Sequence, residues 1–247
     1  MAGHSKWHNI QARKNASDAK KGSLFTRLAR NIILAAREMG GDLDTNFKLR
    51  LAVEKAKAVN MPKDSIERSV KKGTGELAGE IMEEVIYEGF GPGGSAIVIE
   101  SITDNKNRTL TNLKTILSKN GGNLAGMNSV LWMFDKKGVV KINKENFKNL
   151  KDDELELLLI DAGADDILQE EDEDSKKYFQ IITTAQNLKN FQENIKMKNI
   201  NVSEINLEYI PKEFITVSDA VKSTLEKIFE LLDNEEDVNN FYTNVKF

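Results

Sequence analysis

Residues 81–103, IMEEVIYEGFGPGGSAIVIESIT, contain two runs, 81–88 and 95–101, rich in apolar and β-branched side chains and separated by GFGPGG. Two such runs joined by a glycine-dominated connection predict a β-hairpin. The same glycines, Gly89, Gly91, Gly93 and Gly94, invite comparison with a phosphate cradle. Pro92 removes an N–H donor, no Lys-Ser or Lys-Thr follows, and a strand rather than a helix comes next, so the turn reading is favoured. A hairpin alone does not close a core, so the flanking chain must cover it.

Downstream, TDNKNRT (103–109) leads into a helix with Leu110, Leu113, Ile116 and Leu117 inward, ended by Gly121-Gly122, and 130–134 reads as a strand. From 137 the order changes: strand 139–142, helix 152–162, strand 167–170, strand 178–184, helix 187–197, strand 202–210. That order is βαββαβ, the ferredoxin-like pattern. The acid run 170–174 falls in the turn between its middle strands and reads as a solvated loop, since a calcium loop needs a bend-forming glycine. After Pro211, a helix over 217–232 places Val221, Leu225, Ile228 and Leu232 on one side, and 241–247 reads as a last strand. One helix and one strand make no domain by themselves. They complete the sheet begun at 81, which makes 137–210 an insertion in a discontinuous middle domain, 79–136 and 211–247.

Upstream, GTGELAGE (73–80) loses all periodicity and marks a boundary. Before it, Ser23 is placed to cap a helix over 24–39 that stops at Gly40-Gly41. Leu24, Leu28, Ile32, Ala35 and Met39 share one arc of that helix, and Arg27, Arg30 and Arg37 share the opposite arc. Asp44 or Thr45 opens a second helix through Val59, ended by Asn60, and Pro62 starts a third that runs to Lys72. The expectation is an α+β protein of three domains: a helical N-terminal domain (24–78) behind a flexible basic arm (1–23), the split middle α/β domain, and the inserted ferredoxin-like domain.

Charge is segregated along this layout. Residues 1–72 hold 16 Lys and Arg against 7 Asp and Glu; the remainder holds 19 against 32. In the first 37 residues Lys6, Arg13, Lys14, Lys20, Lys21, Arg27, Arg30 and Arg37 oppose only Asp18. Displacing counterions from a phosphate backbone is the main sequence-independent source of nucleic-acid affinity, so this end is expected to meet the polyanion while the acidic remainder stays off it. Trp7, inside the arm, has two readings: stacking on an unpaired base, or folding back onto the first domain. Asn105, Asn107 and Arg108 form a secondary candidate for phosphate or RNA at a helix N-terminus, with simple N-capping by Asn105 or Asn107 as the alternative.

Other chemistry is scarce. There is no cysteine, and the two histidines, His4 and His8, lie in the arm, where nothing holds a catalytic geometry or supplies a third metal ligand. No catalytic residue, metal or cofactor is expected. No apolar run is long enough to span a bilayer and no apolar leader core is present, so a cytoplasmic location is expected.

The arm AGHSKW with N-I, R-K, DAKKG and FT-R-AR after it, then YEGFGPGG, TDNKNRT, SKNGGNL, AGADDI and DVNNFYTN, together resemble the YebC/PmpR family along the whole chain. The resemblance implies the same three domains and places the family's basic signature on Lys6, Trp7, Arg13, Lys14, Lys20, Lys21, Arg27 and Arg30. Members are classed as probable transcriptional regulators, and bacterial and mitochondrial relatives as ribosome-associated translation factors. Two partners follow as expectations: ribosomal RNA, which a flexible basic tail without a helix-turn-helix suits better, or DNA. The acidic ferredoxin-like domain is left for a protein partner. This chain departs in reading WHNIQARK where members commonly read WANIKHRK, and in Thr243 where a histidine is common.

Overall fold

The computed structural model describes residues 18–144, 152–171 and 177–247. Helix α1 (Asp18–Met39) begins five residues before the expected Ser23 cap. Ala19, Lys20 and Lys21 are residue types of good helix propensity. Gly22 costs about 1 kcal/mol against alanine, less than the ~1.5–3 kcal/mol gained by burying one Leu or Ile, so the helix runs through it.

That burial occurs on two sides. Leu28, Ile32, Ala35 and Ala36 pack with Leu49, Ala52, Val53 and Ala56 of α2 (Phe47–Ala58) and Ile66 of α3 (Lys63–Gly73). Ile33 and Leu34, rotated around the axis from that arc, join Met82 and Ile102 in a second cluster. Met39, expected on the inward arc, is exposed. The cap of α2 is neither Asp44 nor Thr45 but the buried Asn46, whose Oδ1 accepts from Leu49 N at 2.9 Å while its Nδ2 donates to the carbonyls of Ala35 and Gly40, each at 2.8 Å. At the end of α3 a Cβ on Gly73 would lie 2.5 Å from the Ile33 carbonyl oxygen, so only glycine allows this approach to α1.

The hairpin forms as expected, from β1 (Glu83–Phe90) and β2 (Ala96–Thr103), paired antiparallel with Tyr87 opposite Ile99. Its loop closes through Gly91 N to the Ser95 carbonyl at 2.8 Å, and Gly93 and Gly94 take φ of 72° and 74°, a turn role. Helix α4 (Lys106–Lys119) leads to β3 (Asn123–Ala125), a short strand without β-branched residues that periodicity does not reveal. Helix α7 (Asp219–Asp233) and strand β8 (Val238–Thr243) return, as expected, to complete a sheet of order β3-β1-β2-β8. Every residue of β2 is buried at its centre. Leu113 and Leu117 of α4 and Leu225, Ile228, Phe229 and Leu232 of α7 close the core, with the rings of Phe229 and Phe241 stacked at 5.1 Å.

Of the expected strand 130–134, only Phe134 is in one. Leu131–Met133 is a 3₁₀ turn, and the next strand, β4, runs continuously over Phe134–Asn143. With α5 (Asp152–Ala162), β5 (Asp166–Glu171), β6 (Lys177–Thr184), α6 (Leu188–Met197) and β7 (Glu204–Pro211) it makes the βαββαβ arrangement, in an antiparallel sheet of order β5-β6-β4-β7. Most of the acid run 170–174 lies outside the described residues. The described chain divides into two compact units, one of 18–132 with 217–243, the other of 133–216 with 244–247. The helices α1–α3 share the first unit with the first sheet because α1 is buried on both sides.

Candidate nucleic-acid interface

The expected basic residues divide into three sets. Lys6, Trp7, Arg13 and Lys14 lie outside the described residues. Lys20 and Lys21 belong to the first turn of α1. Arg27, Arg30 and Arg37 lie further along the same helix, but they do not form a solvated cationic face. Arg27 donates from Nη1 to Asp233 Oδ1 at 3.2 Å and from Nη2 to the Asp233 carbonyl at 2.7 Å. Arg30 donates to the Glu236 carbonyl and pairs with Asp237 Oδ1 at 3.1 Å, with only 13% of its side chain exposed. Next to Arg30 in the chain, Asn31 Nδ2 donates to Asn239 Oδ1 at 2.6 Å. Arg37, itself exposed, donates to the Met82 carbonyl at 3.1 Å. The arc is amphipathic as the sequence indicates, but the acidic turn between α7 and β8 covers much of it.

The centre of this network is Asp237, 2% exposed. Its carboxylate accepts from Arg108 Nε at 3.2 Å and Nη2 at 2.9 Å, and from Thr109 Oγ1 at 2.8 Å, in addition to Arg30. A carboxylate survives burial only when its lone pairs are met in this way, and two guanidinium groups more than balance its charge. Arg108 also donates to Asp104 Oδ1 at 2.7 Å. That bond holds the Asp104 carboxyl below the usual range and, with Asp237, raises the guanidinium above its own. Tyr87, whose hydroxyl donates to the Lys106 carbonyl at 3.1 Å, is pushed up, first by burial and then by the Asp237 charge.

TDNKNRT is therefore built as a junction. Asn105 Oδ1 accepts from Arg108 N at 3.1 Å, the N-cap alternative read from the sequence, and the Thr109 hydroxyl, whose one hydrogen goes to Asp237, lies 2.9 Å from Thr103 Oγ1. Asn107 is exposed and takes no part in the Asp237 network; its carbonyl accepts from Thr111 Oγ1 at 2.8 Å. The structure thus brings Arg30 and Arg108 to one carboxylate and leaves Asn107 apart. The partners of Arg27 and Arg30 lie 206 residues or more downstream, beyond the reach of local periodicity.

A set that the sequence reading did not single out is outside this network. Arg68, Lys71 and Lys72 of α3 are exposed at i, i+3 and i+4 and share one helix face. The signal was present as RSVKK before Gly73, in a helix read only for its ends. Among the described residues no cluster of three or more His, Cys, Asp or Glu is placed to hold a metal ion, and no helix is long and apolar enough to cross a membrane.

FTRLAR of α1, TDNKNRT and DVNNFYTN thus meet at one carboxylate, an arrangement that relatives sharing these segments can share. Residues 5–76 match the family description "TACO1/YebC protein N-terminal domain" and residues 82–245 match "TACO1/YebC second and third domain". A probable transcriptional regulatory protein of Thermoanaerobacter pseudethanolicus is 47% identical over 246 residues, covering 100% of this chain and 97% of the relative. One of the same description from Thermotoga maritima is 46% identical over 244 residues, covering 99% and 93%. Among solved structures, a conserved hypothetical protein of Aquifex aeolicus is similar with a TM-score of 0.82 and 33% identity, covering 93% of this chain and 91% of that one. With both descriptions matched in order and full-length relatives at nearly half identity, the chain belongs to the TACO1/YebC family.

Proposed function

We propose that this protein is a non-enzymatic, nucleic-acid-binding regulator of gene expression, acting in the cytoplasm as a ribosome-associated translation factor that binds structured RNA through its N-terminal part. The observation that carries the reading is the charge segregation, 16 basic against 7 acidic residues in 1–72 and 19 against 32 beyond. Part of the basic surplus is spent inside the fold, on Asp233 and Asp237. The interface is therefore assigned to residues 6–21 and to the Arg68, Lys71, Lys72 face, with Arg27, Arg30 and Arg108 as the scaffold behind it. A basic segment that contacts phosphates reads shape rather than base edges in a groove, which favours RNA.

A second reading, a DNA-binding transcriptional regulator, is favoured by the descriptions of the curated relatives. Co-sedimentation with ribosomes at low and moderate salt, set beside binding to random duplex DNA in the same buffers, separates the two. Ribosome association that survives moderate salt, with weak and steeply salt-dependent DNA binding, supports the translation reading. Absence from ribosomes with a DNA preference that survives competitor supports transcription.

A further inference from the structure

The stretch 120–134, NGGNLAGMNSVLWMF, has no charged residue in a chain that is 30% charged. Its middle is held by one buried carboxylate. Glu88 of β1, 4% exposed, accepts from Asn128 N at 2.6 Å through Oε1 and from Val130 N and Leu131 N, each at 2.7 Å, through Oε2. Three short amide bonds to one anion fix the backbone around Asn128, which sits at φ 61° in the left-handed region that asparagine tolerates better than most residues. This is also why 130–133 turns instead of extending.

What the bracing holds outward is unusual for a loop. Met127 is 90% exposed and Trp132 64%, and Asn128 between them is exposed as well. The indole N–H is already satisfied, donating to the Ser129 carbonyl at 3.1 Å, so the ring has a fixed tilt and offers surface rather than a donor. A thioether, a carboxamide and an indole match a flat ligand with a polar edge.

We propose that the loop 126–132 is a stacking platform for an unpaired nucleobase, with Trp132 and Met127 against the ring and the Asn128 carboxamide at its edge. The inference rests on the nucleic-acid reading above and adds a base-contacting site to its phosphate-contacting one. The chain has two tryptophans, so the full-length W7F protein carries Trp132 as its only indole. It is titrated at fixed salt with a ten-nucleotide oligoadenylate, with an abasic sugar-phosphate strand of equal length, and with the matching RNA duplex.

The expected result is saturable quenching of Trp132 by the oligoadenylate and none by the abasic strand or duplex. W132A, on the wild-type background, should weaken single-strand binding about tenfold with an unchanged salt slope, and W132F should retain most of it. If wild-type protein binds the single strand but quenching is absent and W132A binds equally well, the platform is wrong and the nucleic-acid reading stands. If wild-type protein binds no nucleic acid, both fall. A concentration-dependent blue shift of Trp132 without RNA would give the loop to a second copy of the chain and overturn the proposal.

Discussion

Helices α1 and α3 both carry cationic side chains at helical spacing, yet they use them in opposite ways. On α1, Arg27 and Arg30 are mostly buried and end on Asp233, Glu236 and Asp237. On α3, Arg68, Lys71 and Lys72 stand in solvent. The difference lies in what each helix packs against. Helix α1 is enclosed on two sides and its arginines meet an acidic turn; α3 buries one face only and keeps the other free. A row of arginines beside an apolar stripe is thus as compatible with an internal clamp as with a ligand face. Burial of the acid opposite decides which.

The strongest way to break this comparison is to remove the acid. Asp237→Ala leaves Arg30 and Arg108 facing a void and should cost about 3 kcal/mol, below the upper range for a broken buried pair because Arg108 is partly exposed. Urea unfolding measures it, and a change under 1 kcal/mol would mean that the network is ornamental. Next, Arg30→Gln removes one cation and the donor to the Glu236 carbonyl; about 1–2 kcal/mol should be lost. The α3 triple change Arg68→Gln, Lys71→Gln, Lys72→Gln should cost no more than about 1 kcal/mol but lower RNA affinity and flatten its salt dependence. Equal losses of stability in the α1 and α3 variants would erase the distinction.

The smallest effect concerns pH. The Arg108 bond depresses the Asp104 carboxyl, so the stabilisation it brings is present above the unfolded pKa and disappears as acid protonates the folded form. Arg108→Gln should return that carboxyl toward its ordinary value of 3.8, read by NMR titration, and remove the acid-limb sensitivity it contributes. An unmoved Asp104 would show that another group sets it.

Much of this was legible in the chain. The helix 152–162 follows from Leu155, Leu159 and Ala162 at regular spacing, and the βαββαβ order from strands and helices that each announce themselves. The return of α7 and β8 to the first sheet followed from the need of a lone strand for neighbours. What escaped depends on distant partners. Asn46 caps α2 in place of Asp44 or Thr45 because the carbonyls of Ala35 and Gly40 are there to meet its amide. Val130 and Leu131 leave the strand because Glu88, more than forty residues away, takes their amides. For the candidate interface, the sequence located the basic end but not the division of labour within it, since Arg27 and Arg108 look alike with or without an acid opposite.

The most direct test compares the salt dependence of RNA affinity for wild-type protein, for a variant lacking residues 1–21, and for Arg30→Gln. The account predicts that the truncation removes most of the affinity and flattens the slope, whereas Arg30→Gln keeps both and lowers only the melting temperature. A truncated protein that binds like wild type, or an Arg30→Gln slope reduced by about 0.7 to 0.9, the value of one lost phosphate contact, would contradict it.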